Sequence, residues 1–207
     1  SAPVSGLSVG VGSQVYLAST EFPEWFGRLQ AFDTSKPDPV IPGYLRLWEA
    51  GGSLKARATD PAIYTWDPAN GNALVRIDVA DGSLFGPSGK LTAIAGVNIT
   101  LPIGDFIMGN DGTVTGTKRE WLLGPIVNST PAIVGAPSPN LQTKAYPHAV
   151  FEGTYKSRKA LLWVGSDDGL LHAFRGNPVL ASAGNVVSPA DEEIVAIVPP
   201  TLMAKPL

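Results

Sequence analysis

LLWVGSDDGLLHAF, residues 161–174, is the stretch that decides the fold. Two apolar arms, each with an aromatic residue, flank a polar turn that contains Asp168 and Gly169. Asp-Gly is favoured at two-residue hairpin turns because the central positions of a primed turn need a positive φ. The sequence therefore predicts two antiparallel strands joined by a primed turn.

A second copy of this pattern lies far upstream. Residues 27–32 (GRLQAF) match residues 169–174 (GLLHAF), and residues 15–19 (VYLAS) match residues 162–166 (LWVGS). The two matching glycines are 142 residues apart, 169 minus 27. A propeller blade takes about 40 to 50 residues, so this interval accommodates about three blades, or fewer with insertions.

The composition favours an all-β protein with very little helix. Charged residues make up 16% of the chain, while Gly and Pro number 23 and 19, which suits short strands joined by turns. The net charge of -3 and the scattered basic residues argue against nucleic-acid binding. Gly, Pro or a charge interrupts every long apolar run, so we expect no membrane span.

Short alternating or apolar runs follow one another along the chain and predict a β meander. We interpret residues 1–207 as one partial domain, an antiparallel β-propeller with long loops or insertions around 82–116 and 136–157. A Pro-rich turn is predicted over 33–43. Strands are predicted within 7–18, 27–32, 44–48, 63–66, 73–79, 91–101, 131–135, 161–174 and 193–199.

Few side chains in the sequence suggest a catalytic or metal-binding role. Asp167 and Asp168 are adjacent carboxylates that suit calcium or acid-base work, but Asp is also a preferred turn former, and the turn interpretation is favoured. His172 is interpreted as a hydrogen-bonded structural histidine, because His148 lies in a different loop and no triad spacing is present. Asn110 and Asp67 begin Asn- and Asp-rich turns that lack the regular ligand spacing of a calcium loop. No catalytic, cofactor-binding or metal-binding residue is therefore assigned.

The loop over residues 21–26 leaves two alternatives open. Glu21, Trp25 and Phe26 are either a protruding adhesive tip or an insertion that packs its own aromatic side chains.

The sequence carries three notable segments in order: LLGPIVNSTPAIVG at 122–135, an aromatic-rich loop ending near 155–159, and LWVGSDDGLLHAF at 162–174. Together these segments resemble the PilY/PilC family of type IV pilus tip adhesins. Family members carry segments like LGDIVNSTP and VGANDGMLHAF, followed by a strand that ends in Val-Pro, as at Val198-Pro199. Residues 15–33 are similar to the first blade of the family. Pro125 replaces the usual Asp, and Asp167 stands where Asn is common.

This resemblance implies a modified β-propeller with quinoprotein-like blades, in a secreted protein that promotes pilus assembly, opposes retraction and contributes to adhesion. It implies no enzyme reaction. The expected location is extracellular, at the cell surface or pilus tip, after export through the periplasm. The expected partners are minor pilins or the remainder of the same polypeptide, and a host or abiotic surface.

The resemblance also places a calcium loop downstream of the hairpin, beyond Leu207, so no cofactor is expected within this chain. The chain begins without Met, and a propeller normally closes into a ring. We therefore expect a fragment, a processed product or one part of a split assembly, with an incomplete set of blades.

An alternative is the propeller fragment of a quinone-cofactor (PQQ-type) dehydrogenase. The G-x-L-x-A-F pattern with a downstream Leu-Trp also resembles the repeats of those enzymes. The chain lacks a concentrated set of Glu, Asn and Asp that would hold calcium beside the cofactor, and it has no cysteine pair. The lack of these calcium and cofactor ligands therefore favours the pilus interpretation over the enzyme interpretation.

Overall fold

The computed structural model describes residues 7–11, 13–38, 42–57, 60–112, 117–137, 148–175 and 193–203. Within them, strands arranged in two sheets form most of the regular structure, as the sequence indicated. The strands are β1 (Leu7–Val11), β2 (Gln14–Glu21), β3 (Phe26–Pro37), β4 (Tyr44–Glu49), β5 (Ile63–Asp67), β6 (Ala73–Arg76), β7 (Ala132–Val134), β8 (Leu161–Gly165), β9 (Leu171–Arg175) and β10 (Glu193–Ile197). The α-helices are α1 (Ala50–Ala56), α2 (Lys90–Ala95), α3 (Leu101–Ile107) and α4 (His148–Tyr155).

The first sheet is an antiparallel meander in the order β1-β2-β3-β4. Buried and partly exposed residues alternate along β3, as they do in a strand with one face on a core. The predicted Pro-rich turn over 33–43 is wrong in its first half, because β3 continues to Pro37. Register shifts on both sides of Phe32 and Asp33 accompany this extension, and Pro37 ends the strand at such an irregularity.

The second sheet has the order β6-β5-β10-β9-β8-β7. Strands β7 to β10 form a second antiparallel meander. The predicted hairpin on both sides of residues 67–72 is present as β5 and β6, and β5 joins the meander by pairing parallel with β10. The sheet thus combines a four-stranded repeat with an added hairpin.

The two copies of the sequence pattern have the same strand register. Tyr16 pairs with Ala31 in the first hairpin, and the equivalent Trp163 pairs with Ala173 in the second. The sequence repeat is therefore a structural repeat, in which β1–β4 correspond to β7–β10. The two copies belong to sheets that share one core, so the interval between them carries insertions instead of three blades.

The two sheets use opposite faces to build their shared core. In the second copy, Leu162, Val164 and Phe174 enter this core. Their equivalents in the first copy, Val15, Leu17 and Phe32, lie on the other face of the first sheet and are partly exposed. The first sheet instead contributes the alternate residues Tyr16, Ala18, Leu29 and Ala31. The sheets therefore stack front to back.

A second core lies under the insertion and the added hairpin. Leu91 and Ile99 are fully buried there, together with Ile63 of β5 and Ala196 of β10. The strand predicted within 91–101 is wrong, because this stretch contains α2, a loop and the start of α3. Gly96 ends α2 in the left-handed conformation, and Pro102 lies in the first turn of α3, which are ordinary helix boundary signals.

Helix is more frequent than the sequence indicated, although each α-helix has only six to eight residues. The segment 82–112 carries α2, α3 and a short 3-10 helix (Gly82–Leu84), and α4 lies within the predicted 136–157 loop. None of the helices in the described ranges combines the length and apolar character needed to cross a bilayer.

The turn at the end of β8 differs from the predicted primed turn. The Gly169 N–H donates to the Ser166 carbonyl at 3.1 Å, and the Ser166 N–H donates to the Leu170 carbonyl at 3.0 Å. Gly169 has a φ of 84°, whereas Asp168 does not adopt a positive φ. This is the pattern of a three-residue loop with glycine in the left-handed position. It leaves the Asp168 side chain available as an acceptor.

Candidate functional site

The segment 122–129, which carries the family-like motif, runs between the two hairpin turns. Gly27 of the first sheet donates its N–H to the Leu123 carbonyl at 3.0 Å. On the other side, the Asp167 N–H donates to the Pro125 carbonyl at 2.8 Å. We name residues 122–129 the connecting segment, because its backbone hydrogen bonds fasten one sheet to the other.

Glycine is required where the connecting segment passes closest to its neighbours. A β-carbon on Gly27 would lie 1.8 Å from the carbonyl oxygen of Gly124. A β-carbon on Gly124 would lie 2.8 Å from the backbone nitrogen of Asp168. The backbone at Gly27, the connecting segment at Gly124 and the turn at Asp168 therefore lie so close together that neither glycine can be replaced by a residue with a side chain.

Asp168 accepts hydrogen bonds from both the turn and the connecting segment. Its carboxylate receives the Leu170 N–H at 3.1 Å, the Gly124 N–H at 3.0 Å and the Ser166 hydroxyl. Asp167, in contrast, is exposed. The two adjacent carboxylates thus differ in role, and Asp168 alone is part of the buried structure.

His172 joins this turn to β10 through both ring nitrogens. Its Nδ1 lies 2.6 Å from Glu193 Oε1, and its Nε2 lies 3.0 Å from Ser166 Oγ and 3.5 Å from Asp168 Oδ2. Glu193 is also paired with Arg57, which follows α1. His172 is 2% exposed, so this set of charges lies inside the protein. We call Arg57, Glu193, His172, Ser166 and Asp168 the buried charge network.

The network holds His172 in its charged form. Burial opposes the charge, but the carboxylates of Asp168 and Glu193 outweigh burial and raise the pKa of His172 to about 10. Burial likewise opposes charge on the carboxyl groups, but the imidazolium and the hydrogen bonds keep the pKa of Asp168 and of Glu193 below the usual values. At neutral pH His172 is therefore an imidazolium between two carboxylates.

The contacts of Ser166, His172 and Glu193 follow the connectivity of a hydrolase triad. A general base, however, needs a free electron pair on Nε2, and the imidazolium has none at neutral pH. The Ser166 hydroxyl is also engaged by the Asp168 carboxylate. The arrangement therefore orients the hairpin turn.

Sequence reasoning selected Asp168 and His172 but missed Ser166, Glu193 and Arg57. Ser166 was open to detection, because it ends the arm LWVGS and matches Ser19 in the upstream copy. Glu193 and Arg57 carried no local signal, since long stretches of chain separate them from the turn. Their role depends on the pairing of β10 with β9.

The other Asn- and Asp-rich turns form local hydrogen bonds. Asp67 accepts the Ala69 N–H at 3.1 Å, and Asn72 has a φ of 60° beside Gly71. Asn110 donates to Asp105 at 2.7 Å. Among the described side chains, no group of three or more His, Asp and Glu is arranged to hold a metal ion. His148 is the first residue of α4, and its side chain lies outside the described residues.

The loop after β2 has one exposed aromatic side chain and one packed aromatic side chain at its end, and whether it is adhesive stays a prediction. Trp25 is 55% exposed and contacts the Phe22 ring edge to face, with 4.3 Å between the ring centroids. Phe26 instead stacks on Trp121 with 5.1 Å between centroids, and Arg28 lies over the same indole. One aromatic of the loop is therefore displayed and the next is packed.

These features define a predominantly β module, built from two stacked four-stranded repeats that a motif-bearing segment and a buried charge network hold together. Parts of the chain are similar to two type IV pilus biogenesis factors. It is 36% identical over 102 residues to a type IV pilus biogenesis factor PilY1 homolog of Xylella fastidiosa (strain Temecula1 / ATCC 700964). It is 37% identical over 76 residues to the type IV pilus biogenesis factor PilY1 of Pseudomonas aeruginosa (strain UCBPP-PA14).

The matches cover 46% and 34% of this chain, and 7% and 6% of the two relatives. They confirm the resemblance to the PilY/PilC proteins that the motifs indicated. The chain thus spans a small part of the length of these relatives. No family model matches the chain. No solved structure matches it either.

Proposed function

We propose that this chain is a non-enzymatic assembly and adhesion module of a type IV pilus, folded as part of a β-propeller. The observation that carries the proposal is the similarity to the two PilY1 proteins, together with a hairpin repeat in which the family-like motif has a defined place. The names of the relatives support a role in pilus biogenesis. Adhesion and a position at the pilus tip are part of the proposal.

The front-to-back stacking supports the propeller. Two equivalent sheets related by a twofold axis would meet through the same face, whereas a head-to-tail arrangement uses two different faces. Val15, Leu17 and Phe32 are partly exposed at positions whose equivalents in the second sheet are buried. A further sheet stacked on that face would bury them, as happens between neighbouring blades.

The proposed partners are pilus components and the remainder of the same polypeptide. The latter would supply the other blades of the ring. We further propose export through the periplasm to the cell surface, and calcium binding in a segment beyond Leu207. No cofactor role is proposed for the residues of this chain.

The proposal is tested by an in-frame deletion of these 207 residues from the chromosomal gene. Fewer sheared surface pili and weaker attachment are expected, with restoration by the wild-type gene in trans. Deleting the retraction ATPase in the same strain separates a role in pilus assembly from a role in opposing retraction. Surface pili should return if the module acts by opposing retraction. Unchanged piliation and attachment would contradict the proposal.

The enzyme alternative has its own test. The purified protein is mixed with quinone cofactor and calcium, and dye-linked alcohol oxidation is measured. Turnover above that of a protein-free control would replace the pilus proposal by the dehydrogenase. A structure of the full polypeptide tests the propeller independently, since a two-sheet sandwich with both outer faces in solvent would refute it.

A further inference from the structure

A small, partly open cavity lies beside the buried charge network and is bordered by Leu170 and His172 of the second hairpin. Its volume is about 20 Å³, and its walls include Arg57, Arg119, Ile107, Leu122, His172 and Glu193. A cavity of this size accommodates one water molecule or one monatomic ion. The walls therefore decide which of these it favours.

Positive charge predominates around the cavity. Arg57, Arg119 and His172 are cationic, whereas Glu193 is the carboxylate among the lining residues. Both oxygens of Glu193 are already used, one by His172 and the other by Arg57. Asp168 is engaged in the same way by its own turn. These carboxylates are hydrogen-bonded to other partners, so the Asp168 charge acts on Arg119 without forming an ion pair with it.

Arg119 forms no ion pair with a carboxylate anywhere in the described ranges. Its guanidinium lies 4.1 Å from the centroid of the Phe106 ring, and its Nη2 donates weakly to the Phe106 carbonyl at 3.3 Å. Partial burial lowers the pKa of Arg119, and the charge of Asp168 acts in the opposite direction. A partly buried cation that has no direct carboxylate partner still loses hydration that its few contacts do not replace.

Two buried donors beside the cavity lack acceptors. The Nε–H groups of Arg57 and Arg119 have no hydrogen-bond partner among the residues that the structure describes. The Arg57 side chain is 10% exposed, so water reaches it poorly. Unpaired buried N–H donors on two cations call for an acceptor that carries negative charge.

We propose that this cavity binds a small monovalent anion of the chloride type. The two guanidinium groups supply Nε–H donors and charge, while Ile107 and Leu122 supply apolar walls that suit a weakly hydrated halide. The bound anion would compensate Arg119 and tie the insertion that carries α3 to Glu193 on β10. The inference concerns the folded chain alone and does not depend on a role in the pilus.

The test compares thermal unfolding in sodium chloride and in sodium gluconate at equal ionic strength. Gluconate is too large for the cavity, so the midpoint Tm should be higher in chloride, by roughly 3–6 °C at ten times Kd. Salts also act nonspecifically on stability. The decisive quantity is therefore the Tm in chloride minus the Tm in gluconate, compared between the wild type and the variants. Arg119→Gln should lose the chloride-specific shift, and Arg76→Gln, at an exposed position of β6, should retain it.

A second measurement stands even if Arg119→Gln does not fold. Crystals of the wild-type chain soaked in sodium bromide should show an anomalous peak inside the cavity, within hydrogen-bond reach of Arg57 Nε and Arg119 Nε. Equal chloride responses in wild type and Arg119→Gln would overturn the proposal. A cavity that holds water only, with bromide absent or bound elsewhere, would overturn it as well.

Discussion

Thr20 and Ile126 form two hydrogen bonds, in which the Thr20 hydroxyl satisfies both the backbone N–H and the carbonyl of Ile126 in the connecting segment. Thr20 Oγ1 donates to the Ile126 carbonyl at 3.1 Å and accepts the Ile126 N–H at 3.0 Å. Both residues are 1% exposed. The connecting segment therefore docks on β2 through a side chain that reproduces the pairing of a neighbouring strand.

Replacing this hydroxyl should weaken the fold. Thr20→Val keeps the shape but leaves a buried N–H and carbonyl of Ile126 unpaired, which should lower the free energy of unfolding by about 2–4 kcal/mol. Thr20→Ser keeps the hydroxyl and should cost about 1 kcal/mol for the lost methyl group. Urea unfolding of both variants checks this. Equal stabilities of the two variants would show that the hydroxyl contributes little.

The contact between Gly27 and Gly124 should not tolerate a side chain. Gly27→Ala places a methyl group 1.8 Å from the Gly124 carbonyl oxygen, so the backbone must shift and stability should fall by about 3 kcal/mol or more. Gly82→Ala is the matched control, because open space surrounds that position and stability should change by less than about 0.5 kcal/mol. Similar melting temperatures for the two variants would contradict the close packing.

His172 should make stability fall with rising pH. Its folded pKa of about 10 exceeds the ordinary value of 6.5, so its contribution is complete below pH 6.5 and is lost as the pH rises toward 10. Asp168 and Glu193 act in the opposite direction, because their lowered pKa values add stability that is lost as the pH falls through the acidic range. The free energy of unfolding should therefore decline between pH 6.5 and 9.5.

NMR of the histidine rings provides the direct measurement. The His172 ring should keep the chemical shifts of an imidazolium at pH 8, and the His148→Asn variant assigns its signal, since the sequence has two histidines. A His172 titration midpoint near 6.5 would disprove the charged network. A flat dependence of unfolding free energy between pH 6.5 and 9.5 would have the same meaning.

Substitutions of Trp25 and Phe26 should have different effects on surface attachment and on the stability of the fold. Trp25 is 55% exposed, so Trp25→Ala should cost about 1 kcal/mol, chiefly its contact with Phe22, yet reduce surface attachment several-fold if the loop is adhesive. Phe26→Ala removes the stacking on Trp121 and should cost about 2–3 kcal/mol. Cells that carry Trp25→Ala and attach normally, with normal pilus numbers, would exclude the adhesive role of this loop.

The sequence contained enough information for the hairpin arms and their repeat. The residues from Gly169 to Phe174 and their upstream copy predict paired strands, and the register found in both copies agrees. Which face is buried could not be predicted, because neighbouring positions such as Tyr16 and Leu17 are both apolar. When apolar residues occupy both faces of a strand, the sequence alternation that distinguishes the buried face from the other face is lost.

The short helices of the insertion and the buried charge network could not be predicted from local sequence, because both depend on tertiary contacts. Residues 91–101 contain Ile, Val and Leu that suit a strand, yet burial of Leu91 and Ile99 against the second sheet favours short helices there. Glu193 reaches His172 only after β10 has paired with β9. Contacts that depend on tertiary structure override weak local preference.

The parallel pairing of β5 with β10 also has a consequence for the order of folding. The first sheet is a meander of consecutive strands, so its contacts close short loops and form early. Ile63 of β5, in contrast, must wait for Ala196, which lies near the other end of the chain. We expect the first sheet to form while β5 and β6 are still unpaired with β10, so the pairing of β5 with β10 is the late event that completes the second sheet.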